Sequence, residues 1–224
     1  MPQLLLVRHG QASWGAADYD QLSDLGAEQS RAVGAALVRR GVEPDLLLRG
    51  GLRRHRQTAE HAVVGAGWDQ QVHEDRDWDE YGHDEVFARH PTGLGEGEGF
   101  VDEDAFRLWF DGALHRWTGG EHDPEYDEPF AHFTRRVEQG LTRTVERLHD
   151  EGRRTAVVVT SGGAIAWVVT HLLGGDPAMW VRLNLVTANA SVTKVVAGRR
   201  GTTLMTYNDH SHFEGDASSL LTYR

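Results

Sequence analysis

The chain has 224 residues, 39% of them hydrophobic and 25% charged, which suits a folded soluble protein and is too apolar for disorder. It has no cysteine, so disulfides, thiolate metal sites and a cysteine nucleophile are excluded. The net charge of −11 argues against nucleic acid or an anionic membrane as partner, although a few arginines in a pocket still allow a small anionic substrate. No signal peptide is visible and no apolar stretch is long enough to span a bilayer, so the expected location is cytoplasmic.

Residues 4–7, all apolar, read as a short strand buried on both faces, as in the centre of a parallel sheet. Ser23 carries a capping hydroxyl, and with Asp24 behind it predicts a helix that ends at Gly41. Pro44 precedes a second apolar run at 46–48, a helix is predicted over 52–64, and a short strand over 71–73. From 78 to 130 the alternation breaks into a segment rich in Gly, Asp, Glu and aromatics. It is very polar at 93–99 and has one short helix near 103–117, so it is expected to be an insertion over the active edge of the sheet. Phe133, Val137, Leu141, Val145 and Leu148 place a helix over 130–150. Residues 155–160 are the clearest central strand, with Val157, Val158 and Val159 in a row. Gly162-Gly163 turns the chain into a helix over 164–173, and two strands follow near 191–196 and 203–207. The alternation predicts an α/β fold, a three-layer α/β/α sandwich with a mostly parallel central sheet, in one domain over 1–224.

The first strand leads straight into Arg8-His9-Gly10. In open α/β sheets ligands bind at the carboxyl ends of the strands, so an arginine and a histidine there stand where a ligand would be. The pair suits phosphate: a guanidinium offers a planar fork of donors, and a neutral imidazole offers a nitrogen that attacks phosphorus. Gln11 and Ser13 flank the motif and are candidates for touching substrate. Asp209, His210 and His212 have a His-x-His spacing that suits zinc, but no third ligand is visible nearby, so no metal and no cofactor is expected.

Four later segments occur in a set order after the first motif: Leu22-Ser23-Asp24-Leu25-Gly26, then Leu52-Arg53-Arg54-His55-Arg56-Gln57-Thr58-Ala59, then Asn189-Ala190-Ser191-Val192-Thr193, then Asn208-Asp209-His210-Ser211-His212. Together with Arg8-His9-Gly10 they resemble the histidine phosphatase superfamily, the phosphoglycerate mutase-like proteins, over nearly the whole chain. The resemblance implies that His9 is the nucleophile and becomes a phosphohistidine. It implies that Arg8 and Arg54 hold the phosphoryl group and that Glu80, in Trp78-Asp79-Glu80-Tyr81, is the proton donor. Glu80 must then carry a proton when the leaving oxygen departs. The resemblance also places Ser161 and Gly162 among the substrate-binding residues.

Two positions depart from the family pattern. Where relatives carry a second histidine after the central strand, as His-Gly-Gly, this chain has Ser161-Gly162-Gly163. Losing one transition-state donor costs roughly 10²–10³ in rate, so a weakened enzyme and a dead one are equally expected. His83 and His55 lie near motif residues and could refill the space, each the lesser expectation. The second departure is Gly50-Gly51, where relatives place serines before the arginine helix, with Arg49 as a partial replacement in charge. Ser161 also has a plainer reading, as the cap of the helix that follows it.

The expected function is hydrolysis of a small phosphate monoester through a phosphohistidine at His9. Phosphoglycerate mutase-type phosphoryl transfer and a catalytically decayed phospho-ligand binding protein are the alternatives. Specificity is expected in the segment 78–130. The substrate and the oligomeric state are not legible in the sequence.

Overall fold

The computed structural model describes residues 1–13, 20–91, 102–198 and 201–223. The chain divides into two compact units, one made of Met1–Glu80 with Val137–Arg224 and the other of Tyr81–Arg136.

The first unit is built on a six-stranded sheet of β1 (Gln3–Arg8), β2 (Leu46–Arg49), β3 (Val72–Glu74), β4 (Thr155–Thr160), β5 (Val192–Gly198) and β6 (Gly201–Asp209). Their order is β3-β2-β4-β1-β5-β6. The first four run parallel, while β5 runs against β1 and β6 against β5, so the sheet is mostly parallel as expected. Side chains alternate across a strand, so each of the central strands covers two faces. Leu5, Val7, Leu47, Val157 and Val159 share one core with Val33, Leu37, Ala59 and Ala62 of helices α1 (Asp24–Arg39) and α2 (Arg53–Ala66). The alternate residues Leu4, Leu6, Leu46, Leu48, Ala156 and Val158 are buried as well. Further helices of this unit are α6 (Gly162–Leu173) and α7 (Pro177–Val186), packed together, with α6 also touching β1.

Helix α1 begins where Ser23 accepts the backbone N–H of Gly26 at 3.0 Å, the cap its sequence foretold. Helices α1 and α2 approach each other very closely: a Cβ on Gly34 would stand 2.1 Å from the Ala62 carbonyl oxygen, and one on Gly65 2.2 Å from that of Arg31. Strand 155–160 forms with the expected bounds, and α5 (Phe130–Asp150) also matches its predicted span. Helix α7 has no counterpart in the sequence reading.

The second unit holds the short helix α3 (His83–Ala88) and α4 (Glu103–Thr118). Its core is aromatic: Tyr81 stacks on Trp117 at 4.8 Å between ring centres, and Phe133 meets both. Tyr81–Arg136 falls close to the expected insertion at 78–130, but Trp78 belongs to the first unit, where it is fully buried. The polar stretch at 93–99 lies outside the described residues. Among the described residues, no helix is long and apolar enough to cross a membrane.

Candidate active site

Parallel register brings the carboxyl ends of three strands side by side. Arg8 pairs with Thr160 and Arg49 with Val159, so the residues that follow, His9, Gly50 and Ser161, leave the sheet at one edge. The ladder extends into those loops: His9 N–H donates to the Thr160 carbonyl at 2.8 Å and Gly50 N–H to that of Val159 at 3.0 Å.

His9 is 5% exposed, and its Nδ1 lies 2.7 Å from the Gly10 carbonyl oxygen. A carbonyl only accepts, so Nδ1 carries the hydrogen and Nε2 keeps its lone pair. Burial, reinforced by the neighbouring Arg54, Arg8 and His55, holds the His9 pKa well below 6.5 and keeps the ring neutral. The backbone around it is held from several sides. Gly10 N–H donates to Thr58 Oγ1 at 3.1 Å, and Gln57 Oε1 accepts Leu22 N–H at 2.8 Å, which accounts for the Gln57-Thr58 pair of the segment 52–59. The His9 carbonyl accepts from Ala190 N–H at 3.2 Å and Asn189 Nδ2 at 3.3 Å. Gly10 and Gly26 are needed for close approach, since a Cβ on Gly10 would lie 2.2 Å from the Gly26 oxygen.

Arg8 donates through Nη1 to the Thr187 carbonyl just after α7, and a Cβ on Gly162 would lie 3.5 Å from Arg8 Nε and 3.0 Å from Asn184 Oδ1. Arg54 is 5% exposed and pairs with Asp20, Nη1 to Oδ1 at 2.7 Å. The loop of Trp78 to Glu80 is pinned by Thr160 Oγ1, which donates to the Trp78 carbonyl at 2.5 Å. From that anchor Asp79 accepts Gly51 N–H, and Glu80 Oε2 accepts Gly163 N–H in the first turn of α6 at 3.0 Å. Glu80 thus meets the same helix start that Ser161 and Gly162 open.

Ser161 stands at the cap position of α6, but its hydroxyl makes no cap hydrogen bond. It lies 2.6 Å from His55 Nε2, so the plain capping reading is corrected. Of the two histidines weighed as replacements, His55 reaches this position, its ring centre 5.8 Å from that of His9. His83 sits in the second unit, against Asp84 and Phe87. Gln11 takes the Ser23 hydroxyl on its side-chain oxygen at 3.2 Å, and its backbone N–H donates to Gln29 Oε1. Arg49 does not replace the absent serines: Nη1 donates to the Gly50 carbonyl and pairs with Glu74 at 3.0 Å. Asp209 pairs with Arg40, His210 Nδ1 meets the Asn208 carbonyl, and His212 Nε2 donates to the Ala190 carbonyl at 3.1 Å. Sequence reasoning missed Thr187, whose carbonyl accepts from Arg8, and Asn184, whose side-chain oxygen lies beside Gly162. The signal was there in Asp176-Pro177, a capping acid followed by proline at the first turn of α7.

The model of the histidine phosphatase superfamily (branch 1) matches residues 4–210. The chain belongs to this superfamily. A 2,3-bisphosphoglycerate-dependent phosphoglycerate mutase of Novosphingobium aromaticivorans is 28% identical over 202 residues, 78% of this chain and 84% of that one. Another, from Staphylococcus epidermidis, is 30% identical over 125 residues, and the match spans about half the length of that relative. Among solved structures, phosphoserine phosphatase of Entamoeba histolytica in complex with 3-phosphoglyceric acid has a TM-score of 0.64 at 23% identity. That match covers 95% of this chain and 99% of the other. The superfamily fold is therefore shared with proteins named as mutases and as phosphatases.

Proposed function

We propose that this chain hydrolyses a small phosphate monoester through a phosphohistidine on His9. The observation that carries the reading is the neutral, oriented His9 ring, with Nδ1–H spent on Gly10, the Nε2 lone pair kept, and the charges of Arg54 and Arg8 acting on it. In the first step Nε2 attacks phosphorus and the bond to the leaving oxygen breaks, while Glu80 gives that oxygen its proton. Arg8 and Arg54 hold the phosphoryl oxygens as charge shifts onto them. In the second step Glu80 takes a proton from water, whose oxygen attacks phosphorus, and the bond to Nε2 breaks. Inorganic phosphate leaves and His9 is restored.

The test is turnover of p-nitrophenyl phosphate by the wild type and by His9→Ala, together with acid-labile labelling of His9 from a phosphoryl donor. Turnover and label in the wild type, both lost in His9→Ala, are expected; equal rates in the two proteins would leave only ligand binding. The named mutases among the relatives favour a second reading, phosphoryl transfer between hydroxyl oxygens of phosphoglycerate. With 3-phosphoglycerate as substrate, hydrolysis releases inorganic phosphate. Isomerisation that depends on a bisphosphate primer and outruns phosphate release would favour the mutase.

A further inference from the structure

Beside His9 lies a chain of polar groups, two buried and one half-buried, that the two steps above do not use. His55, the third residue of α2, has no exposed surface, and neither has Ser161. Their Nε2 and Oγ are 2.6 Å apart, and on the other side of the ring Nδ1 faces Asp79 Oδ1 at 3.8 Å. The room for this ring comes from Gly50. A Cβ there would stand 2.3 Å from His55 Nδ1 and 2.7 Å from Asp79 Oδ1, so a serine at that position would collide with both. The glycine before α2, the serine after β4 and the histidine inside α2 thus fit only as a set. Burying an imidazole and a hydroxyl is costly unless both are satisfied, and an apolar pair would fill the same space more cheaply. That cost points to a use.

We propose that Asp79, His55 and Ser161 act as one relay, in which His55 is a positioning residue that aims the Ser161 hydroxyl at the phosphoryl group held in front of His9. A hydroxyl has a single hydrogen. When His55 donates through Nε2 to Ser161 Oγ, that hydrogen turns away from the ring and serves a phosphoryl oxygen. The Asp79 carboxylate, 3.8 Å from Nδ1, favours the doubly protonated ring, the form in which Nε2 donates while Nδ1 keeps its hydrogen toward the carboxylate. The chain thereby recovers, from α2, the donor that its loop after β4 lacks. The proposal rests on the phosphatase reading above.

The experiment compares kcat and KM for p-nitrophenyl phosphate, and phosphohistidine labelling, in the wild type and in Ser161→Ala, His55→Leu, His55→Gln, Ser161→His and the double variant His55→Ala with Ser161→His. Ser161→Ala is expected to lower kcat by about 10²-fold, the usual cost of one transition-state donor, with little change in KM. His55→Leu should show a similar loss, and His55→Gln, whose amide can donate to Oγ, should recover part of it. Ser161→His alone should lose activity because His55 fills the space, whereas the double variant should exceed both Ser161→His and His55→Leu. Wild-type kcat in Ser161→Ala, or no advantage of the double variant, would overturn the relay. So would hydrolysis of p-nitrophenyl acetate that survives His9→Ala and is lost in Ser161→Ala, since Ser161 would then be a nucleophile. Ser161→Ala removes one oxygen, so it keeps the test sound if His55→Leu fails to fold. If the wild type neither turns over nor labels at His9, the phosphatase reading falls and the relay with it; if it does both and the variants match it, the relay alone falls.

Discussion

Asp20 holds the guanidinium that the proposed chemistry needs. Its Oδ1 pairs with Arg54, while Oδ2 accepts Arg53 N–H at 2.8 Å and so steadies the start of α2. An arriving phosphate must compete with that carboxylate. Asp20→Asn keeps an acceptor for Arg53 and removes the charge. A pair of this kind is worth about 1 kcal/mol, so the inhibition constant of inorganic phosphate should fall about fivefold; an unchanged or raised constant would show that Asp20 does not compete. His9, Arg8 and Arg54 were legible because each sits in a short motif whose chemistry is local. His55 was not. Its partner Ser161 is 106 residues away, and the space it fills exists only because Gly50 lacks a side chain.

At the scale of elements, the strands and long helices were legible and the small pieces were not. β1 and β4 announce themselves as unbroken apolar runs because both of their faces are buried. In α7 only Trp180 and Val181 are buried, so it has no apolar stripe to read and only its cap marks it. Six residues of α3 are too few to show a period. Nor does any pattern announce how closely α1 and α2 pack, although Gly34 fixes it. Alanine is about 0.8–1 kcal/mol better than glycine inside a helix, but overpacking costs about 1–3 kcal/mol. The collision here is with backbone at 2.1 Å, which cannot rotate aside. Gly34→Ala is therefore expected to lose about 1–2 kcal/mol net, lowering Tm by roughly 2–8 °C for a chain of this size. A thermal melt followed by circular dichroism measures it, and a raised Tm would mean that the two helices separate easily.

Over the whole molecule the histidines set how stability answers to acid. His9 is held well below 6.5, His61 below it, and His212 is pushed down to about 4, chiefly by burial in each case. These rings stay neutral in the fold and take up a proton once unfolded, so below pH 6.5 the unfolded chain binds more protons and stability falls. His212 contributes a slope of at most about 1.4 kcal/mol per pH unit, which acts between pH 6.5 and about 4 and then levels off. Asp45, Asp209 and Glu74, all held below their ordinary values, add a further loss at the acid end of that window. Urea melts from pH 7.5 to 4.5 should show this decline, and His212→Asn should flatten it by about one proton; an equal slope in the variant would refute the assignment.

The sheet order carries one consequence for how the molecule is made. β1 lies between β4 and β5, so after it leaves the ribosome it has neither neighbour until residues 155–160 and 192–198 exist. At roughly 5–20 residues per second the apolar stretch Leu4 to Val7 waits about 8–30 s for its first flank. The clamp on the His9 carbonyl, from Asn189 and Ala190, comes later still. His9 is thus synthesised long before the residues that set it in place, and a nascent chain holds it well before it holds a site.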